Sequence, residues 1–202
     1  AASRAAGQNR VGRLEPGRWI PVLTMTYRSP RKAIAGWLAF FVSQLAFSAE
    51  IVHQPPAEFL SENLPECQQK ALWLKADMKK QVEAILDHSF AGVRVRYCTA
   101  GGKTAWILDE IGKTEPITTG VVVHEGVVEQ VRVLVFRESR GGEIHREVFT
   151  QQYAQAVLNE KNRLDRNIDG ITGATLSVNA VNRQVRLALL LDGYVQGAAS
   201  DG

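Results

Sequence analysis

From Val93 to Phe136 the chain reads as short extended segments punctuated by tight turns, and this stretch constrains the fold most. Val93, Val95 and Tyr97 interleave with Arg94 and Arg96, so one face is apolar and the other charged, the pattern of a half-buried strand. TAGGK then predicts a turn, and TAWILDEI the returning strand of a hairpin. ITTGVVV and VEQVRVLVF flank HEG, where Gly126 is available for the positive φ of a tight turn. Local connection makes these four strands antiparallel.

The period changes on either side of them. CQQKALWLKADMKKQVEAIL places Leu72, Leu74, Met78, Val82, Ile85 and Leu86 at helical spacing, predicting a helix from about Pro65 to Leu86, in one or two pieces. The preceding EIVHQPPAEFLSENLPE is expected to begin extended, because Pro55 and Pro56 disfavour helix. REVFTQQYAQAVL returns to helical spacing. A last helix, from about Ser177 to Leu191, carries Val178, Val181, Val185 and Ala188 on one stripe, with Asn179, Asn182, Arg183 and Arg186 away from it. The tail GYVQGAASDG is expected to fray. Strands followed by helices predict an α+β fold: a small antiparallel sheet packed with helices, its C-terminal helix starting at the TGAT loop.

Residues 25–49 read differently. MTYRSPRK is basic, AIAGWLAFFVSQLAFSA is apolar, and small residues follow, as in a signal peptide. The apolar run is shorter than the ~20 residues of a spanning helix and is interrupted by Ser43 and Gln44, so an uncleaved N-terminal anchor is the other reading. Either predicts a periplasmic or cell-envelope location. Residues 1–24 form an upstream leader, 50–89 an N-terminal helical segment, 90–195 the principal domain and 196–202 the tail. The net charge of +3 comes partly from arginines in the leader, and no basic stripe with interleaved aromatics follows, so nucleic acid is not expected as a partner. Cys67 and Cys98 either pair, as an exported compartment allows, or stay as two thiols. Neither sits in a haem-attachment or zinc-ligand spacing, and His53, His88, His124 and His145 are scattered, so no metal site is indicated.

Chemistry concentrates in DGITGATLS, Asp169 to Ser177, just ahead of the last helix. A helix start exposes unpaired N–H groups and a partial positive charge, which suits phosphate. Gly173 and Ala174 leave room for its approach, and Thr175 and Ser177 offer hydroxyls. The structural alternative is an ordinary N-cap at Thr172 or Ser177, worth about 1 kcal/mol.

DGITGAT resembles the flavin-attachment motif of the FMN-binding domain family, Asp-x-x-(Ser/Thr)-Gly-Ala-Thr. That family includes periplasmic subunits of the sodium-translocating quinone reductase and of Rnf-type electron-transfer complexes. In those relatives the last threonine carries FMN through a phosphoester, installed outside the cytoplasmic membrane by a flavin transferase with FAD as donor. The resemblance implies Thr175 as the attachment residue. It makes Asp169, Thr172, Gly173 and Ala174 the transferase-recognition and phosphate-loop positions, with Leu176 and Ser177 beside them in the cofactor site. A second loop of the family, Glu-Thr-Pro-Gly-x-Gly after a strand, is similar to RESRGGEI: Glu138, Ser139 and Gly141 fit, Arg140 replaces the proline, and the second glycine is displaced to Gly142. A small exported branch has this RESRGGE form with LDEIGK before it, as in ILDEIGKTEPIT here. The resemblance spans residues 90–191.

It implies an exported flavoprotein, with FMN covalent at Thr175, relaying electrons to a redox partner in the membrane or envelope: a quinone-linked complex, a reductase or a haem protein. The alternative is a module of the same fold that binds FMN non-covalently or serves in assembly or regulation. No nucleophile–base pair competes, so an electron-transfer subunit is expected rather than a stand-alone catalyst. Arg140 is suited to offset negative charge on a reduced ring; otherwise it and Glu138 are a solvated loop pair. Trp73, Trp106 and Phe136 are expected in the core, and Glu110 and Lys113 in a solvated turn.

Overall fold

The predicted alternation is realised as an antiparallel sheet. The structure, a computed structural model, describes residues 50–200; the leader and apolar segment expected in residues 1–49 lie outside the described residues. Strands β3 (Arg94–Ala100), β4 (Lys103–Ile111), β5 (Pro116–His124) and β6 (Val127–Phe136) follow one another through tight turns. Gly126 takes φ +75° in the β5–β6 turn, as HEG requires. Two further strands complete the sheet, β1 (Ile51–Val52) and β2 (Gln68–Trp73), giving the order β1-β6-β5-β4-β3-β2.

β1 realises the extended start expected of the stretch from Glu50, whereas β2 corrects the reading of residues 65–74. The helix expected from Pro65 begins only at Ala76 (α2, Ala76–Leu86), and Gln68–Trp73 instead pairs with β3 from Gln68↔Thr99 to Trp73↔Arg94. Cys67 and Cys98 are joined in a disulfide, which ties the start of β2 to β3. Leu72 and Leu74 pack against the core while Trp73 between them is exposed, so the spacing of two there belonged to a strand. Trp73 is therefore not a core residue; the Arg94 guanidinium lies 5.4 Å from its ring centre. Pro55 is extended as expected, at φ −59° and ψ 136°, but Pro56 does not exclude helix. Helix α1 (Pro56–Asn63) begins there, because proline at the first helical position forfeits only an N–H that has no partner anyway.

The two faces of the sheet bury different partners. On one, Val82, Ile85 and Leu86 of α2, Trp106, Val121, Val133 and Tyr153 form the main core with the C-terminal helix α4 (Thr175–Ser200). The stripe Val178, Val181, Val185 and Ala188 is buried as predicted. On the other face, Phe59 and Leu64 pack on Cys98, Ala105, Val122 and Leu134. Gly120 makes this possible: a Cβ there would lie 2.5 Å from the Phe59 ring. β5, inside the sheet, is accordingly buried from Ile117 to Val123, and only Thr118 and Thr119 interrupt its small and apolar residues there.

Two helical expectations change. Residues 147–158 form one helical turn, α3 (Glu147–Thr150), and a 3-10 turn to Tyr153, ended by Gln155 at φ +63°. The tail does not fray at Gly193: α4 runs on to Ser200, with Asp192 and Leu191 buried against the sheet. Among the described residues no helix is long and apolar enough to cross a membrane.

Polar side chains fix where α4 lies on the sheet. Thr119 donates to Gln184 Oε1 (2.6 Å), and Gln184 Nε2 donates to the carbonyls of Leu108 (2.7 Å) and Ile117 (2.8 Å), so this buried amide is fully used. Thr104 donates to Asp192 Oδ1 at 2.7 Å. Arg183 Nε donates to Glu110 Oε1 at 2.8 Å. Glu110 is thus buried, correcting its assignment to a solvated turn. It also receives His88 at 3.1 Å, and the Ser89 carbonyl, then Glu110, raise the imidazole above its ordinary basicity.

Candidate functional site

The start of α4 is built without side-chain capping. Ala174 stands just ahead of the helix; its N–H donates to the Ile171 carbonyl (2.9 Å) and its carbonyl accepts the Val178 N–H (3.0 Å). Among the described residues neither Thr172 nor Ser177 makes a capping hydrogen bond, which overturns the N-cap reading of those hydroxyls. The N–H groups of Thr175, Leu176 and Ser177 lie in the first turn, where no intrahelical carbonyl reaches them. Gly173 turns the chain into the helix at φ +81°, with open space where a Cβ would be. The Thr175 side chain is exposed and its hydroxyl has no hydrogen-bond partner among the described residues.

The loop after β6 meets this helix start. Gly141 adopts φ +87°, and a Cβ on it would sit 2.9 Å from the Ala174 Cβ and 3.2 Å from Ser177 Oγ. Residues more than thirty positions apart in sequence are therefore in contact through glycine. Between them opens a cleft of about 640 Å³, walled by Gly173–Ser177 on one side and by Lys113 with Glu138–Arg140 on the other. That size suits a small-molecule or cofactor site. Thr172 and Gly173 also line a neighbouring cleft beyond Ser139–Gly142, about 530 Å³. Asp169 lines neither. It is exposed, and its backbone N–H donates to Gln152 Oε1 at 2.7 Å.

Glu138 is not half of a solvated pair with Arg140. It is buried, and the turn between β4 and β5 folds around its carboxylate. The N–H groups of Lys113, Thr114 (2.6 Å) and Glu115 (3.0 Å) all donate to Oε1, and the Thr114 hydroxyl to Oε2 (3.1 Å). Burial alone pushes this carboxyl up, but the donors from Glu115, Thr114 and Lys113 outweigh it and hold the group below the usual carboxylate range. The clasp leaves Ser139 and Arg140 exposed and keeps Lys113 on the cleft wall. Lys113, which pattern alone left in a plain turn, is a site-lining residue. Its signal was the continuity of LDEIGK with the loop motif rather than any property of the lysine.

Residues 112–190 match the family model of the FMN-binding domain. This stretch is similar to an FMN-binding domain. No curated protein matches the chain. The matched stretch opens at Gly112, the first residue of the turn that clasps Glu138, and reaches Leu190 on α4, so it holds both walls of the cleft. The match supports FMN as the cofactor, and the donors around the cleft fit that group: unpaired helix-start N–H groups, hydroxyls, and the Lys113 and Arg140 cations, with small residues where a phosphate must approach closely. Trp106 and Phe136, buried in the core as expected, are not on the cleft wall.

Proposed function

We propose that the protein is an exported flavoprotein that carries FMN as a phosphoester of Thr175 and relays electrons between redox partners of the cell envelope. The observation that supports this most is the position of the Thr175 hydroxyl: free, exposed, and at the head of α4 on the wall of the cleft. A hydroxyl engaged in capping would be a poor nucleophile for this purpose; here the cap is Ala174. The N–H groups of Thr175, Leu176 and Ser177 would hold the phosphate, assisted by the helix dipole, and Lys113 and Arg140 would offset its charge. Bound FMN supplies the redox chemistry.

The same geometry is compatible with attachment. Thr175 Oγ forms a new P–O bond to the flavin-side phosphorus of FAD as the P–O bond to the adenylate breaks; AMP leaves with the electron pair and the hydroxyl proton is released. A flavin transferase catalyses this exchange. The protein's contribution is access, since Gly173 and Ala174 present no side chain larger than a methyl beside the acceptor oxygen.

Co-production of the full chain with an active flavin transferase tests the reading. A denaturing gel should show a band fluorescing under ultraviolet light, and the intact mass should rise by one FMN. Thr175→Ala should abolish both. A dark wild-type band, with a control substrate of the transferase labelled in the same cells, would sink covalent attachment.

A further inference from the structure

A second cleft lies along α4, beyond the first turn, and shares no lining residue with the Thr175 cleft. Its volume is about 650 Å³, and four arginines line it: Arg163 and Arg166 from the segment before the DGITGAT loop, Arg183 and Arg186 from α4. Among the lining residues Asp87 is the only acid, and it is exposed. We propose that this cleft binds a phosphate-bearing small anion.

The four guanidiniums do not stand alike. Arg166 is held by Asp165 (3.1 Å) and by the carbonyls of Ala154 and Gln155 (2.7 Å each), and Arg183 by Glu110 (2.8 Å). Their charges are locally answered. Arg186 uses only Nε, on the Asn162 carbonyl (2.6 Å), and the Arg163 side chain has no partner among the described residues. Two cations are thus left over, and Arg186 is only partly exposed. Burial, then the charges of Arg163 and Arg183, lower the basicity of Arg186, which is the electrostatic mark of crowded like charge. An anion between Arg163 and Arg186 relieves that crowding and fills the two forks with paired oxygens, a match that guanidinium makes well with phosphate.

The remaining wall supplies neutral donors. Tyr153 donates to Asn182 Oδ1 at 2.7 Å, which orients that amide and leaves Nδ2 as a donor, and Asn179 lies one turn nearer Thr175. A recessed cleft of this volume with charge set into it favours a small ligand over the flat surface of a protein partner. Free phosphate ester, nucleotide and lipid headgroup share the relevant chemistry.

The test is calorimetric titration of the full chain without flavin, at low and at physiological ionic strength, so that failure here leaves the Thr175 reading intact. Three probes separate the sources: inorganic pyrophosphate, a nucleoside monophosphate, and vesicles with anionic rather than zwitterionic phospholipid. Saturable binding of at least one probe is expected, weakened roughly tenfold or more in Arg163→Ala or Arg186→Gln, since each charge-assisted contact is worth more than a neutral one. Arg163→Ala removes an exposed side chain that makes no hydrogen bond and keeps the fold intact. No saturable binding of any probe, or affinity unchanged in both variants, overturns the proposal.

Discussion

Gly141 is the residue at which the two flavin-related motifs touch. Its left-handed backbone, φ +87°, and the 2.9 Å separation its Cβ would have from Ala174 both exclude a side chain. Gly173, at φ +81°, shares the backbone restriction but has open space around it. The two positions therefore separate strain from clash. Gly173→Ala should cost about 1–2 kcal/mol, the penalty of a left-handed residue with a Cβ. Gly141→Ala should cost about 2–4 kcal/mol, because overpacking against α4 adds to it. Urea denaturation midpoints check this, and a Gly141→Ala variant no less stable than Gly173→Ala would refute the contact. At this scale the sequence showed which glycines belonged to motifs. It did not show that Ser177, read as a cap or a phosphate-rim hydroxyl, is buried beside Gly141, because that neighbour arrives from β6.

At the scale of elements, the β4–β5 turn and the end of β6 complete each other. A turn rich in unpaired N–H groups and a carboxylate without a partner each look solvated when read alone, although the resemblance also sets Glu138 in the cofactor site. Together they form a nest around an anion. Glu138→Gln keeps the shape but removes the charge that these donors favour, and should cost about 1–3 kcal/mol at neutral pH. The pH dependence has a definite sign. The folded carboxyl titrates below its ordinary value of 4.5, so its contribution is complete above that pH and is lost as pH falls through the lower, folded value. The stability gap between wild type and Glu138→Gln should accordingly close on acidification from about pH 4.5 downward, measured by chemical denaturation across a pH series. A constant gap would show that Glu138 acts by shape alone. Residues 65–74 failed for a related reason: a short edge strand with apolar residues two apart resembles the start of the amphipathic helix that follows it.

For the whole molecule, the sheet is closed at one edge by a covalent bond. β2 is the last strand, almost wholly exposed, and its register on β3 begins beside the Cys67–Cys98 disulfide, which spans 31 residues and encloses all of α2. A loop of that length corresponds to about 3.7 kcal/mol of stabilisation, mainly through the unfolded chain. Replacing both cysteines by serine should lower unfolding stability by roughly that amount, and reductant should lower the wild type to match while leaving the variant unchanged. Equal stability of the two proteins without reductant would mean that the bond contributes nothing. The other long-range device is polar: Gln184, Asp192 and Arg183 set α4 over β4 and β5, and with it the position of Thr175 against the Glu138 loop.

The sequence by itself determined the α+β class, the four central strands, the apolar stripe of α4 and the place of the TGAT loop at the head of that helix. Each of these is written in residues close together along the chain, where period, turn glycines and motif spacing act directly. Only the tertiary structure decided the pairing of β1 and β2, the burial of Glu110 and Glu138, the contact of Gly141 with Ala174, and the gathering of four arginines into one cleft. These depend on which distant groups meet, and a buried charge or a close-packed glycine is defined by its partner rather than by its neighbours in sequence.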